Sequence, residues 1–183
     1  MTGAADFRGR LSGWLLIGSG AVYFLFYGLQ FLGVDLDGPQ ELAIFVHLIL
    51  ILLTLAGLIG ARRALSLESW LGALWTMSTV LAVLGLTVGK PFWSAAMFGL
   101  GIVSMALWRA HVVASLLVIG GAIWLYLFAA GVRVGGENGR PMLGIEPDLA
   151  LVAVVLMALG LVGLGRKVRG ATSHLTAARQ ASR

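Results

Sequence analysis

Long apolar runs separated by short polar interruptions make up almost the whole chain. A helix needs about 20 mostly apolar residues to cross the hydrocarbon core of a bilayer. Six stretches reach or approach that length: residues 11–34, 42–61, 70–88, 91–108, 111–132 and 149–165. Only Gly89 and Lys90 separate the third from the fourth, and Pro91 follows. One helix through both would run to about 58 Å, roughly twice the core thickness. Proline cannot continue a helix interior and its predecessor avoids the α region, so Gly89-Lys90-Pro91 is read as a tight turn. The pattern predicts an all-α membrane protein with six transmembrane helices arranged as three hairpins in one integral membrane domain.

Composition supports this class. Of 183 residues, 59% are apolar and only 11% charged, against about 25% charged in soluble domains. The mean hydropathy is +0.95. A soluble enzyme, a nucleic-acid module and a disordered tail are all disfavoured. The absence of cysteine removes disulfides, thiolate metal sites and thiol redox chemistry. The first span is too long for a signal peptide and no small-residue cleavage site follows it, so it is expected to remain as an anchor.

The charges add orientation. Ten Lys and Arg fall on one side of the predicted spans: Arg8 and Arg10, Arg62 and Arg63, Arg109, and the five from Arg166 to Arg183. The other side has three, Lys90, Arg133 and Arg140, with six of the eight acidic residues. Positive residues stay cytoplasmic, so both termini are expected inside. The net +5 is then mainly a topology signal, and the inner surplus should attract anionic lipid headgroups rather than nucleic acid. Eleven Arg against two Lys, with abundant Ala, Gly, Val and Leu, points to a GC-rich bacterial genome, and the expected location is then the bacterial plasma membrane. Trp14, Trp70 and Trp108 at inner boundaries and Trp93 at an outer one fit an aromatic belt. The Gly- and Pro-rich segment 133–148 and the acidic segment 35–41 are expected as outer loops. The polar residues 169–183 are expected as a fraying cytoplasmic tail.

Chemistry is sparse. No Asp, Glu, Lys or Arg lies inside a span as drawn, which disfavours proton pumps, ion-coupled carriers and voltage sensors. No zincin spacing or nucleophile motif occurs, so no catalytic residue, metal or cofactor is expected. His47 and His111 fall near opposite faces, too far apart to ligate one haem. The first span carries Ser19, Tyr23, Tyr27 and Gln30 on one helical face. Tyr27 and Gln30 fall at depths that bracket His47 on the second span, and Tyr126 on the fifth is also in the outer half. Tyr23, Tyr27, Gln30, His47 and Tyr126 are therefore the candidate ligand-binding residues of an outward-facing polar recess. The plainer reading of the same residues is interfacial anchoring by the tyrosines and a hydrogen-bonded packing role for His47. The hydroxyls of Thr54, Thr76, Ser78, Thr79, Ser104 and Ser115 are expected to bond their own helix carbonyls, leaving no continuous polar pore.

In span count and length the layout resembles small six-span bacterial families, such as acid-resistance membrane proteins with repeated two-span hairpins. The six-span urea and amide channels are similar in length, although the orientation expected of them opposes the charge bias here. The resemblance carries no motif and no residue role. The expectation is a non-enzymatic accessory, assembly or structural membrane protein, with another membrane protein or a second copy as partner. The alternative is a small-solute channel or carrier built on the recess. A membrane enzyme subunit using His47 ranks third, because the spans contain no acid.

Overall fold

The computed structural model describes residues 2–31, 40–65, 67, 69–87, 90–129 and 145–181, with side chains described over 7–27, 45–65, 67, 70–87, 91–129 and 149–171. It is all-helical, with six helices among the described residues: α1 (Thr2–Phe31), α2 (Gln40–Leu65), α3 (Ser69–Thr87), α4 (Lys90–Trp108), α5 (His111–Ala129) and α6 (Ile145–Ala181). Five stretches are long and apolar enough to cross a membrane: Phe45–Leu65, Trp70–Thr87, Pro91–Trp108, His111–Ala129 and Leu149–Ala171. The described side chains of α1, 7–27, hold Arg8 and Arg10 followed by a run from Leu11 to Tyr27 in which apolar residues predominate. Phe24, Leu48, Leu52, Met77, Val112 and Ile119 are exposed on the outer surface of the bundle. Water would not tolerate so much exposed apolar surface, whereas lipid covers it.

The helix ends follow local chemistry. The apolar run broken by Gly89 is interrupted, with α3 ending at Thr87 and α4 starting at Lys90. Pro91 is the second residue of α4, where its missing N–H costs no helical bond. Between α4 and α5 the chain turns over two residues. Arg109 sits there with φ 47°, and its N–H donates to the Met105 carbonyl at 2.9 Å. A left-handed residue closing a helix in this way is usually glycine, because a Cβ there crowds the following carbonyl. At its other end the chain differs from expectation. The polar segment from Arg169 continues α6 as helix to Ala181. With 37 residues α6 is roughly 55 Å long, well beyond the ~30 Å hydrocarbon core. The loop expected over 35–41 is outside the described residues up to 39, and that over 133–148 up to 144.

Each helix packs on its neighbours in chain order, and α6 returns to pack along α1 in the most extensive contact of all. Small residues set the spacing. A Cβ on Gly13 would lie 2.6 Å from the Gly165 carbonyl oxygen, and one on Gly20 would lie 2.7 Å from that of Ala158. On its other side α1 meets α2, where Ser12 faces Gly60, Leu16 faces Gly57 and Ser19 faces Thr54. As one index rises the other falls, so these two helices run in opposite directions. Of the small residues on this part of α2, Gly57 and Gly60 meet α1, whereas Ala56 is exposed. The core between the helices holds Leu16, Tyr23, Leu50, Trp75, Met97 and Leu117, all buried.

Candidate functional site

Ser19, Tyr23 and Tyr27 recur every four residues on α1, and this stripe turns inward. Ser19 and Tyr23 are buried and Tyr27 is half-buried. The stripe begins with a buried hydroxyl pair, Ser19 Oγ and Thr54 Oγ1, 2.6 Å apart. Thr54 donates to the Leu50 carbonyl on its own helix at 2.7 Å. Its proton is therefore committed, and Ser19 is the donor of the pair. The result is a polar clasp between α1 and α2 with both hydroxyls satisfied.

One turn on, the stripe becomes aromatic. The Tyr23 ring, 1% exposed, lies 4.8 Å from Tyr27 and stacks 5.3 Å from Trp93 of α4. Tyr27 sits edge-on to Phe26, His47 and Trp124, with centroids 5.1, 6.1 and 6.4 Å away. Offset and edge-to-face pairs at these separations are favourable aromatic geometries. The Tyr27 hydroxyl is 3.4 Å from His47 Nε2, at the long limit for a hydrogen bond. The His47 ring also faces the backbone carbonyl of Leu86 near the end of α3. Four helices and the end of a fifth thus contribute to the Tyr23–Tyr27–His47 cluster: α1, α2, α4 through Trp93, α5 through Trp124 and, through Leu86, α3. Trp93 is 2% exposed, and its indole N–H has no completed hydrogen bond, although it lies close enough to the Tyr23 hydroxyl to act on it.

Of the five residues singled out from sequence, the structure brings Tyr23, Tyr27 and His47 together. Tyr126 does not join them. It is 63% exposed on the outer face of α5, while Trp124, two residues earlier, turns inward. Two residues correspond to about 200° of rotation, so both cannot face the bundle. The side chain of Gln30 lies outside the described residues. Trp93 and Trp124 complete the cluster, although neither is a candidate from the sequence. The belt rule put Trp93 at the interface. Its companions Met97, Leu100 and Ser104, all buried at helical spacing, mark the inward face instead. Trp124 shares a face with Leu117, Gly120, Gly121 and Leu127.

The cluster offers hydroxyl and imidazole groups between aromatic faces. Among the described residues it contains no carboxylate, thiol or ammonium, and no group of three His, Cys, Asp or Glu is placed to hold a metal. Elsewhere, Thr76, Ser78, Thr79 and Ser104 each donate to the carbonyl four residues earlier, at 2.8–2.9 Å. Comparison with known protein families, curated proteins and solved structures gives no match for this chain.

Proposed function

We propose that the chain is a six-span protein of a bacterial plasma membrane, folded as three hairpins with both termini cytoplasmic, and that it acts as a non-enzymatic accessory or assembly partner of another membrane protein. The observation that carries this reading is the use of the interior polar groups. Ser19, Thr54, Thr76, Ser78, Thr79 and Ser104 bond to one another or to helix carbonyls, and the outer tyrosines are filled in by tryptophan rings. A bundle whose polar groups serve its own packing presents its outer surface, tail and loops as places for function. Orientation rests on the ten-to-three division of Lys and Arg.

Purification of the full chain in mild detergent is the test. A stoichiometric membrane-protein partner, recovered again when the partner carries the tag, is the expected result. Elution as a lone monomer counts against the reading. Orientation is tested separately in this cysteine-free chain. Single cysteines at Gly38 and Gly136 should react with an impermeant thiol reagent in intact cells, and those at Ser66 and Ser173 should not. Labelling at Ser66 from outside overturns the six-span arrangement with both ends inside.

A second reading has one specific observation in its favour. The unsatisfied Trp93 N–H beside Tyr23, with the long Tyr27–His47 contact, is where a small neutral polar solute would complete hydrogen bonds. That reading makes the chain a small-solute channel or carrier. Flux of small neutral solutes into proteoliposomes above the protein-free rate, abolished by His47→Ala without loss of folded protein, would favour it.

A further inference from the structure

We propose that the groove between α2 and α3 is a binding site for an anionic glycerophospholipid, with the phosphate held by Arg62 and Arg63 and an acyl chain laid along the groove. The proposal rests on α2 and α3 being membrane-spanning, and not on which side of the membrane their basic ends face.

The groove exists because this seam is loose. α2 touches α3 less extensively than any other pair of chain neighbours with described contacts. The gap is about 440 Å³, within the ~300–1,000 Å³ of small-molecule sites. Its walls are apolar and face outward: Ile59 and Val80 are exposed, and Leu55, Val83 and Leu84 continue the lining. From Leu55 to Arg63 the wall runs roughly 12 Å along α2, close to the depth of one leaflet's hydrocarbon. In a bilayer such a gap is filled by hydrocarbon.

The charge at one end of the groove selects the headgroup. Arg62 and Arg63 lie in the last turn of α2 and line the same gap. Both are exposed. Arginine presents a planar fork of N–H donors that matches phosphate oxygens. The two hydroxyls in the groove do not compete. Thr76 and Thr79 have committed their protons to the Gly72 and Trp75 carbonyls, so they offer the ligand lone pairs only, and the guanidinium groups are the donors that a phosphate can use. A second groove, between α4 and α5, gives the contrast. It measures about 340 Å³ and is lined by Gly101, Ile102, Met105, Ala106, Ala114 and Val118, with no cation among them. That groove suits an acyl chain of any lipid, whereas the α2–α3 groove combines an acyl channel with a phosphate-binding end.

Native mass spectrometry of the full chain in detergent tests this, with dioleoyl phosphatidylglycerol, dioleoyl phosphatidylcholine and water-soluble glycerol phosphate as probes. Wild-type protein should retain phosphatidylglycerol roughly tenfold more tightly than phosphatidylcholine, as two basic groups near an anionic headgroup allow. Arg62→Gln with Arg63→Gln should remove that preference. Val80→Trp should weaken retention of phosphatidylglycerol by obstructing the channel while the arginines remain. Arg166→Gln with Lys167→Gln, which removes an equal charge at exposed positions of α6, should leave retention unchanged. Equal retention of the two lipids overturns the proposal, as does an unaltered preference in the Arg62/Arg63 variant. Competition by glycerol phosphate at equal concentration would assign the site to a free phosphate and overturn it too. An equal loss in the Arg166/Lys167 variant would reduce the effect to bulk charge and would likewise overturn the proposal. Detergent-solubilised protein has no sidedness and the assay needs no protein partner, so these failures are distinguishable from failure of the topology or of the accessory role.

Discussion

The α1–α6 seam and the α2–α3 seam are built on opposite principles. Along α1–α6, backbone lies against backbone: Gly13 meets Gly165 and Gly20 meets Ala158, with no room for a Cβ between them. Along α2–α3 the helices stand apart, a groove opens to the outside, and the seam is spanned by long side chains. The Trp75 indole N–H reaches across to the Leu58 carbonyl at 2.8 Å, and the His47 ring faces the Leu86 carbonyl. In lipid there is no hydrophobic force between helices, so close van der Waals approach and hydrogen bonds must hold them together. One seam relies on approach, the other on side chains that reach across, with the Trp75–Leu58 hydrogen bond among them, and only the second leaves space for something other than protein.

Thermal unfolding of the purified protein in detergent can break that comparison. The largest effect is expected from Gly13→Leu, because its side chain would collide with the α6 backbone, which cannot rotate out of the way. A loss of about 3 kcal/mol is expected, at the upper end of the range for overpacking. Trp75→Phe should cost about 2 kcal/mol, since a buried donor is lost and a small void is left. Ser19→Ala should cost about 0.6 kcal/mol, the ordinary size of an interhelical hydrogen bond in a membrane. Thr54 keeps its bond to Leu50 in that variant. Val80→Leu, which adds a methylene to the open groove wall, should change stability by less than about 0.5 kcal/mol. If Val80→Leu proved as damaging as Gly13→Leu, the two seams would not differ in kind.

The runs of apolar residues located α2 to α5 to within a few positions, because solvation by lipid fixes how long an apolar helix must be. The same rule is silent about helix beyond the apolar run. Residues 172–181 continue α6 although their composition alone suits a frayed tail. Inward and outward faces were partly legible. The four-residue spacing of Ser19, Tyr23 and Tyr27 implies one face, and a polar face avoids lipid. Tyr126 went the other way because a single tyrosine has no period, and its direction is set by where α4 and α6 happen to touch α5. Trp75, Trp93 and Trp124 are buried for a related reason. The preference of tryptophan for interfaces is a tendency of unpaired rings, and these rings have partners: a carbonyl for Trp75, Tyr23 for Trp93, Tyr27 for Trp124. The glycines that close α1 on α6 lie about 150 residues apart, and no local pattern links them.

That separation has a consequence in time. At roughly 5–20 residues per second of synthesis, Gly165 leaves the ribosome on the order of ten to thirty seconds after Gly13. Through that interval α1 is in place without its most extensive partner. What it leaves uncovered matters. Its Ser19 hydroxyl is matched by Thr54 on the very next helix, so the costly polar group is settled early, by a neighbour in the chain. The face that waits for α6 is Gly13, Ile17 and Gly20, which lipid tails can solvate without penalty. The order of emergence therefore matches the order of need: the Ser19–Thr54 bond closes first between consecutive helices, and α6, arriving after α1 to α5, adds contacts that had nothing to lose by waiting.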